Sequence, residues 1–201
     1  MSGGAGRVPF VGLTGGLGSG KSEALRALGE LGAATLSTDA VVHELLTGEE
    51  LRDEIVERLG PDVAPEGSLD RSAIAEHVFG DDEARKWLES VLWPKVGERM
   101  MSWKQEVDAA DPAPTAAVVE VPLLFEAGME GAFDHTVAVV ADEEVRTERA
   151  GARDHAAVEG RAASQLSQDE KAQRADFVVR NDGSLEELRE TLSRLLGTIS
   201  T

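Results

Sequence analysis

Cysteine and tyrosine are absent from the 201-residue chain, and the remaining aromatics are five Phe and three Trp. Without cysteine there are no disulfides, thiolate metal sites or cysteine nucleophiles, a composition that fits a reducing cytoplasm. With aromatics at 4%, a base-stacking surface for single-stranded nucleic acid is not expected. The core must be built from Ala, Val, Leu and Ile. No run approaches the roughly 20 apolar residues that span a bilayer, and residues 1–9 hold no apolar signal core, so no membrane partner is expected. Cations are scarce as well. The 20 Lys+Arg stand against 38 Asp+Glu, giving a net charge of −18. Phosphate backbones repel such a chain, which excludes nucleic acid held by overall charge and leaves room only for a local basic site. His43, His77, His135 and His155 have no metal-ligand spacing, which argues against zinc.

What is present is an ordinary globular composition, 41% hydrophobic, long enough for one domain with an inserted lobe. A Gly-rich tail is expected over residues 1–8 and a single domain over 9–201. Val8 to Leu13 reads as a short buried strand running into a glycine cluster, and Lys21 to Leu31 as a helix with Ala24, Leu25, Leu28 and Leu31 on one face. Ala33 to Leu36 is a candidate second strand, with Asp39 where the chain leaves it. From Asp39 to Asp70 ten acids face only Arg52 and Arg58, a local net of −8 that suits a solvated face. Helical patterns follow from Asp70 through Val78 and from Asp81 to about Val107, and Pro94 should kink or break the second. Ala116 to Val121 and Thr136 to Ala141 are Val-rich and read as buried parallel strands. Then come a helix over Glu143 to Arg153, a polar helical stretch to Gln173, a last strand at Phe177 to Val179 and an amphipathic helix from Leu185 to Leu196. Strands alternating with helices imply an α/β fold with an open parallel sheet.

The most specific signal is Gly15-Gly16-Leu17-Gly18-Ser19-Gly20-Lys21-Ser22, a complete G-x-x-x-x-G-K-S between strand and helix. Glycines let the backbone curl so that successive N–H groups point at phosphate oxygens, and the helix that follows adds its positive end. Lys21 supplies charge to the β and γ phosphates, and the Ser22 hydroxyl is a ligand for Mg²⁺. Gly16, Leu17, Gly18, Ser19, Gly20, Lys21 and Ser22 are thus the candidate cradle for ATP. No N-K-x-D sequence for reading guanine follows, and the chain is short for a motor. A kinase acting on a small acceptor fits best. Glu120, at the end of a buried strand, is a candidate for Mg²⁺ through water or a salt-bridged strand-end acid. Residues 146–174 carry Arg146, Arg149, Arg153, Arg161, Lys171 and Arg174 against five acids, a local net of +1, as either a cationic lid or a solvated helix.

Val11 to Ser22, Asp39, Leu69-Asp70-Arg71 with Ile74 and Phe79, and Val121-Pro122-Leu123-Leu124-Phe125-Glu126 together resemble the dephospho-CoA kinases. Arg149, Arg153, Arg161, Gln165, Ala175 to Val179 and Asn181 to Ser184 extend the resemblance to nearly the whole chain. Three positions depart from the family pattern. Ser37 replaces the first acid of D-x-D, Trp93 replaces the His of a His-Pro pair, and Glu120 replaces an Asp.

The resemblance implies a P-loop kinase-like sheet with a helical acceptor-binding lobe at about residues 60–110 and an Arg-bearing lid at about 146–174. It implies ATP-dependent phosphorylation of the 3′-hydroxyl of dephospho-CoA, with Lys21, Asp39 and Arg149 catalytic and Asp39 as the base. Asp39 also suits a helix N-cap. Arg153 is implied to close over ATP beside Arg149, Asn181 and Gly183 to meet adenine, and Arg71, Pro122 and Leu123 to meet the acceptor; Asn181-Asp182-Gly183 is equally a plain turn. A related kinase for another CoA-like or nucleoside acceptor, and a silent nucleotide-binding regulator, are the alternatives. A monomer with small-molecule partners is expected.

Overall fold

Short Val-rich segments separated by amphipathic ones have to bury both faces of any sheet they form, because parallel strands need a covering crossover between them. The computed structural model describes residues 7–151 and 165–200. Among them five strands, β1 (Phe10–Gly15), β2 (Ala34–Ser37), β3 (Ala117–Glu120), β4 (His135–Val140) and β5 (Phe177–Arg180), form one parallel sheet in the order β2-β3-β1-β4-β5. The helices are α1 (Lys21–Glu30), α2 (Thr38–Thr47), α3 (Arg52–Leu59), α4 (Arg71–Val78), α5 (Asp82–Asp108), α6 (Glu143–Gly151), α7 (Gln168–Arg174) and α8 (Leu185–Ile199).

The chain divides into two compact units, Met1–Ser37 with Trp103–Thr201, and Thr38–Ser102. In the first, every residue of β1 and β3 is buried. Leu28 of α1 and Leu188, Leu192 and Leu196 of α8 pack in one cluster with Val11, Leu13, Val118, Val137 and Val139 of the sheet. The apolar spacing of α8 produces that stripe, and Ser184 starts the helix with a capping box to Glu187. Successive connections leave β1 toward β2 and β3 toward β4, in opposite directions. This is the switch outside whose carboxyl ends open α/β sheets bind ligands. The register pairs Leu13 and Ser37 with Glu120, so Glu120 stands at that carboxyl edge.

The second unit is helical. It begins at Thr38, well before the lobe expected from residue 60, because α2 and α3 bury Val41, Leu45, Leu46 and Ile55 as part of it. Lys95 pairs with Glu50, and Arg99 with Glu44 and Glu50, so part of the acidic stretch is neutralised.

Three expectations change. Pro94 does not break α5, which is continuous from Asp82 to Asp108. Leu88, Leu92, Val96 and Met100 are all buried at four-residue spacing, and this burial outweighs one lost backbone hydrogen bond. Asp39 is not an N-cap, since it lies inside the first turn of α2 after Thr38. The tail bound at residue 8 gives way to the buried segment expected from Val8: Val8 is 4% exposed, and its amide donates to Asp108 at 3.2 Å.

Candidate active site

Between β1 and α1 the chain curls with Gly18 at φ 73° and Gly20 at φ 88°, conformations that exclude most side chains. Space excludes them too. A Cβ on Gly18 would lie 2.5 Å from the Arg146 carbonyl oxygen, and one on Gly20 would run into Asn181 Nδ2. Gly20 starts α1 without a side-chain cap, so the first-turn amides are not capped by a side chain at the positive end of the helix. Lys21 Nζ donates to the Gly16 carbonyl at 2.9 Å, holding its charge at the mouth of the loop. Leu17 is half-buried, and Ser19 is fully buried with an Oγ that meets no partner among the described residues.

Ser22 Oγ donates to Glu120 Oε1 at 3.3 Å, and Glu120 is 6% exposed. A hydroxyl and a carboxylate at the edge of a phosphate cradle are the hard oxygen donors that Mg²⁺ takes when nucleotide phosphates complete its shell. The residues fit the ion. The hydroxyl that donates to Glu120 is thus the one that the sequence marked as a metal ligand.

Asn181 is buried and acts as a tie. Its Nδ2 donates to the Ser19 carbonyl at 2.9 Å, its amide donates to the Val140 carbonyl, and its own carbonyl accepts from Arg149 Nη1 at 2.9 Å. The side-chain nitrogen is therefore engaged with the loop. Arg149, Asn181 and the exposed Gly183 line a cavity of about 470 Å³ with Gly20, Arg26 and Leu188. The Pro122 carbonyl accepts from Thr14 Oγ1 at 3.3 Å and from Lys171 Nζ at 2.5 Å, and Leu123 is half-buried beside it in sequence.

The structure thus brings the loop, Lys21, Ser22, Glu120, Arg149, Asn181 and Gly183 together in the α/β unit. Asp39 and Arg71 belong to the helical unit. Asp39 is exposed two residues after β2, and Arg71 Nη1 lies 3.0 Å from His43 Nδ1. Arg153 and Arg161, with residues 152–164 of the expected lid, lie outside the described residues.

Further contributors are Arg146 and Lys171, which the sequence marked only as cations of the 146–174 segment, and Glu126 and Gln168, to which it gave no separate role. Lys171 is completely buried and pairs with Glu126 at 3.0 Å, and the Leu166 amide donates to the same carboxylate. Glu126 closes the Pro-Leu-Leu-Phe-Glu string, which was its only sequence signal. Gln168 holds the end of β4 by accepting from the Ala141 amide and donating to its carbonyl. Arg146 lies against the loop from α6.

The dephospho-CoA kinase family model matches residues 9–187. The chain belongs to the dephospho-CoA kinase family. A dephospho-CoA kinase from Symbiobacterium thermophilum is 41% identical over 185 residues, covering 90% of this chain and 77% of the relative. The crystal structure of a Thermus thermophilus protein superposes with a TM-score of 0.77 at 36% identity, covering 95% of this chain and 98% of that one. The dephospho-CoA kinase from Campylobacter jejuni superposes at 0.62 and 25% identity, with 94% and 96% covered. The open parallel sheet expected from the sequence is the fold these structures share with the chain.

Proposed function

We propose that the protein transfers the γ-phosphoryl group of ATP to the 3′-hydroxyl of dephospho-CoA, releasing coenzyme A and ADP in the last step of coenzyme A biosynthesis. The observation that carries this is the family match over residues 9–187, which spans the phosphate loop, Glu120 and the Asn181 turn in one chain. Phosphoryl transfer asks mainly for positioning and charge neutralisation. Gly16 to Ser22 bind the phosphates through backbone amides, and Lys21 moves from the Gly16 carbonyl to phosphate oxygen. Ser22 and Glu120 would hold Mg²⁺, which neutralises the β and γ oxygens when bound. Asp39 orients the 3′-hydroxyl and accepts its proton as the new P–O bond forms and the bond to the ADP oxygen breaks. Arg149, held by the Asn181 carbonyl, faces the nucleotide cavity, and Arg153, four residues on in the sequence, is assigned to ATP beside it. Gly183, which lines the same cavity, is assigned to the base. Arg71, Pro122 and Leu123 are assigned to the acceptor.

The substrates are small molecules, and the setting proposed is cytoplasmic; no helix among the described residues is long and apolar enough to cross a membrane. Measuring ADP release from Mg·ATP with dephospho-CoA, with other nucleosides and with no acceptor tests the assignment. Release that depends on dephospho-CoA is expected. Equal release with another nucleoside would favour a different acceptor, in line with the Ser37 and Trp93 departures.

A further inference from the structure

Arg146 of α6 lies across the phosphate-binding loop. Its Cα and carbonyl oxygen stand 3.1 and 2.5 Å from the point a Gly18 Cβ would occupy, and its Nη1 stands 3.2 Å from the equivalent point at Gly16. Its Nε is shut off from solvent and meets no acceptor among the described residues. Nor does any carboxylate among those residues form an ion pair with it, although the chain holds 38 acids for 20 bases. Arg26, Arg52, Arg58, Arg85, Arg99 and Arg189 each have such a partner.

A guanidinium carries five N–H donors, and leaving a buried one unmet is costly. In so acidic a chain, a buried arginine donor that meets no acid among the described residues points to an anion from outside. The location says which anion. Gly16 has Lys21 Nζ on its carbonyl and Arg146 Nη1 against its α-carbon, so the two cations bracket one residue of the cradle.

We propose that Arg146 is a second phosphate-binding cation of the loop, acting with Lys21 on the β and γ phosphates of ATP. Its planar fork donates two parallel N–H bonds to phosphate oxygens, a geometry the point charge of Lys21 does not supply. The proposal rests on the reading of the loop as the ATP site, and it adds a residue outside the G-x-x-x-x-G-K-S motif.

The test is calorimetric titration of the full chain with Mg·ATP, inorganic tripolyphosphate and adenosine, for the wild type, Arg146→Gln and Arg146→Lys. Arg146→Gln is expected to weaken ATP and tripolyphosphate by about tenfold or more while adenosine affinity and the melting temperature of the free protein hold. Arg146→Lys should recover part of the loss. Unchanged tripolyphosphate affinity in Arg146→Gln would overturn the proposal, and so would a loss shared equally by adenosine, which marks a packing role. If the glutamine variant does not fold, Arg146→Lys decides: it keeps charge and stem but not the fork, and wild-type tripolyphosphate affinity overturns the proposal. A wild type that binds neither ATP nor tripolyphosphate would instead defeat the reading of the loop.

Discussion

Gly20 meets two demands at once, a left-handed backbone and close contact with the Asn181 amide that ties the final turn to the loop. Gly67 has a similar φ of 81° but nothing near the space a Cβ would fill. Gly20→Ala should therefore lose stability beyond the strain of about 1–2 kcal/mol and also weaken ATP binding. Gly67→Ala should show strain alone. Urea unfolding with an ATP titration of both variants checks the contrast, and equal ATP affinity in the two would contradict it. Lys171 makes a second residue-scale case. Its ammonium is fully buried against Glu126 and the Pro122 carbonyl. Lys171→Met strands the carboxylate and should cost about 3–5 kcal/mol, with Lys171→Met/Glu126→Gln recovering much of the loss. A double variant as unstable as the single one would show that the pair does not act as a unit.

Elements differ in how far local sequence determines them. β1, the loop and α1 were legible because glycines and Lys21 at fixed spacing allow one backbone path and one chemistry. β3 and β4 were legible because a Val-rich run bounded by turn residues suits only a buried strand. Of the kink or break expected at Pro94 the break does not occur, because the breaker rule is local, while the buried row Leu88, Leu92, Val96 and Met100 is a tertiary fact. Pro94 is itself exposed. Pro94→Ala should then restore a backbone hydrogen bond without loss of packing and raise the melting temperature; an unchanged or lower value would contradict this. In the candidate site the motif residues were legible, whereas Arg146 and Gln168 gained their places only when α6 and α7 packed beside Gly16. The start of α8 carries a pH prediction. The Ser184 amide, and then its hydroxyl, hold the Glu187 carboxyl below the usual carboxylate range. A lowered folded pKa stabilises above the unfolded value, and the gain is lost as pH falls through the folded one. Ser184→Ala should cost about 1 kcal/mol at neutral pH and less in acid. A cost independent of pH would assign the effect to the bond the hydroxyl accepts from the Glu187 amide, not to the one it donates to the carboxylate.

For the whole molecule, a net charge of −18 opposes the approach of ATP and dephospho-CoA, which are themselves anions. The acids are dense from Asp39 to Asp70, in the helical unit, while Lys21, Arg146 and Arg149 surround the loop. Charge placement therefore decides binding, and the overall field works against it at long range. Raising salt from low levels should first strengthen ATP affinity by screening that field. A monotonic loss from the lowest salt upward would show that the local cations outweigh it. The fold and family converge on one transfer, and phosphorus NMR of the product formed from Mg·ATP and dephospho-CoA tests it most directly. One new phosphomonoester on the 3′-oxygen, formed in step with ADP, is the predicted result; ADP without that ester, or phosphate on another hydroxyl, would contradict it.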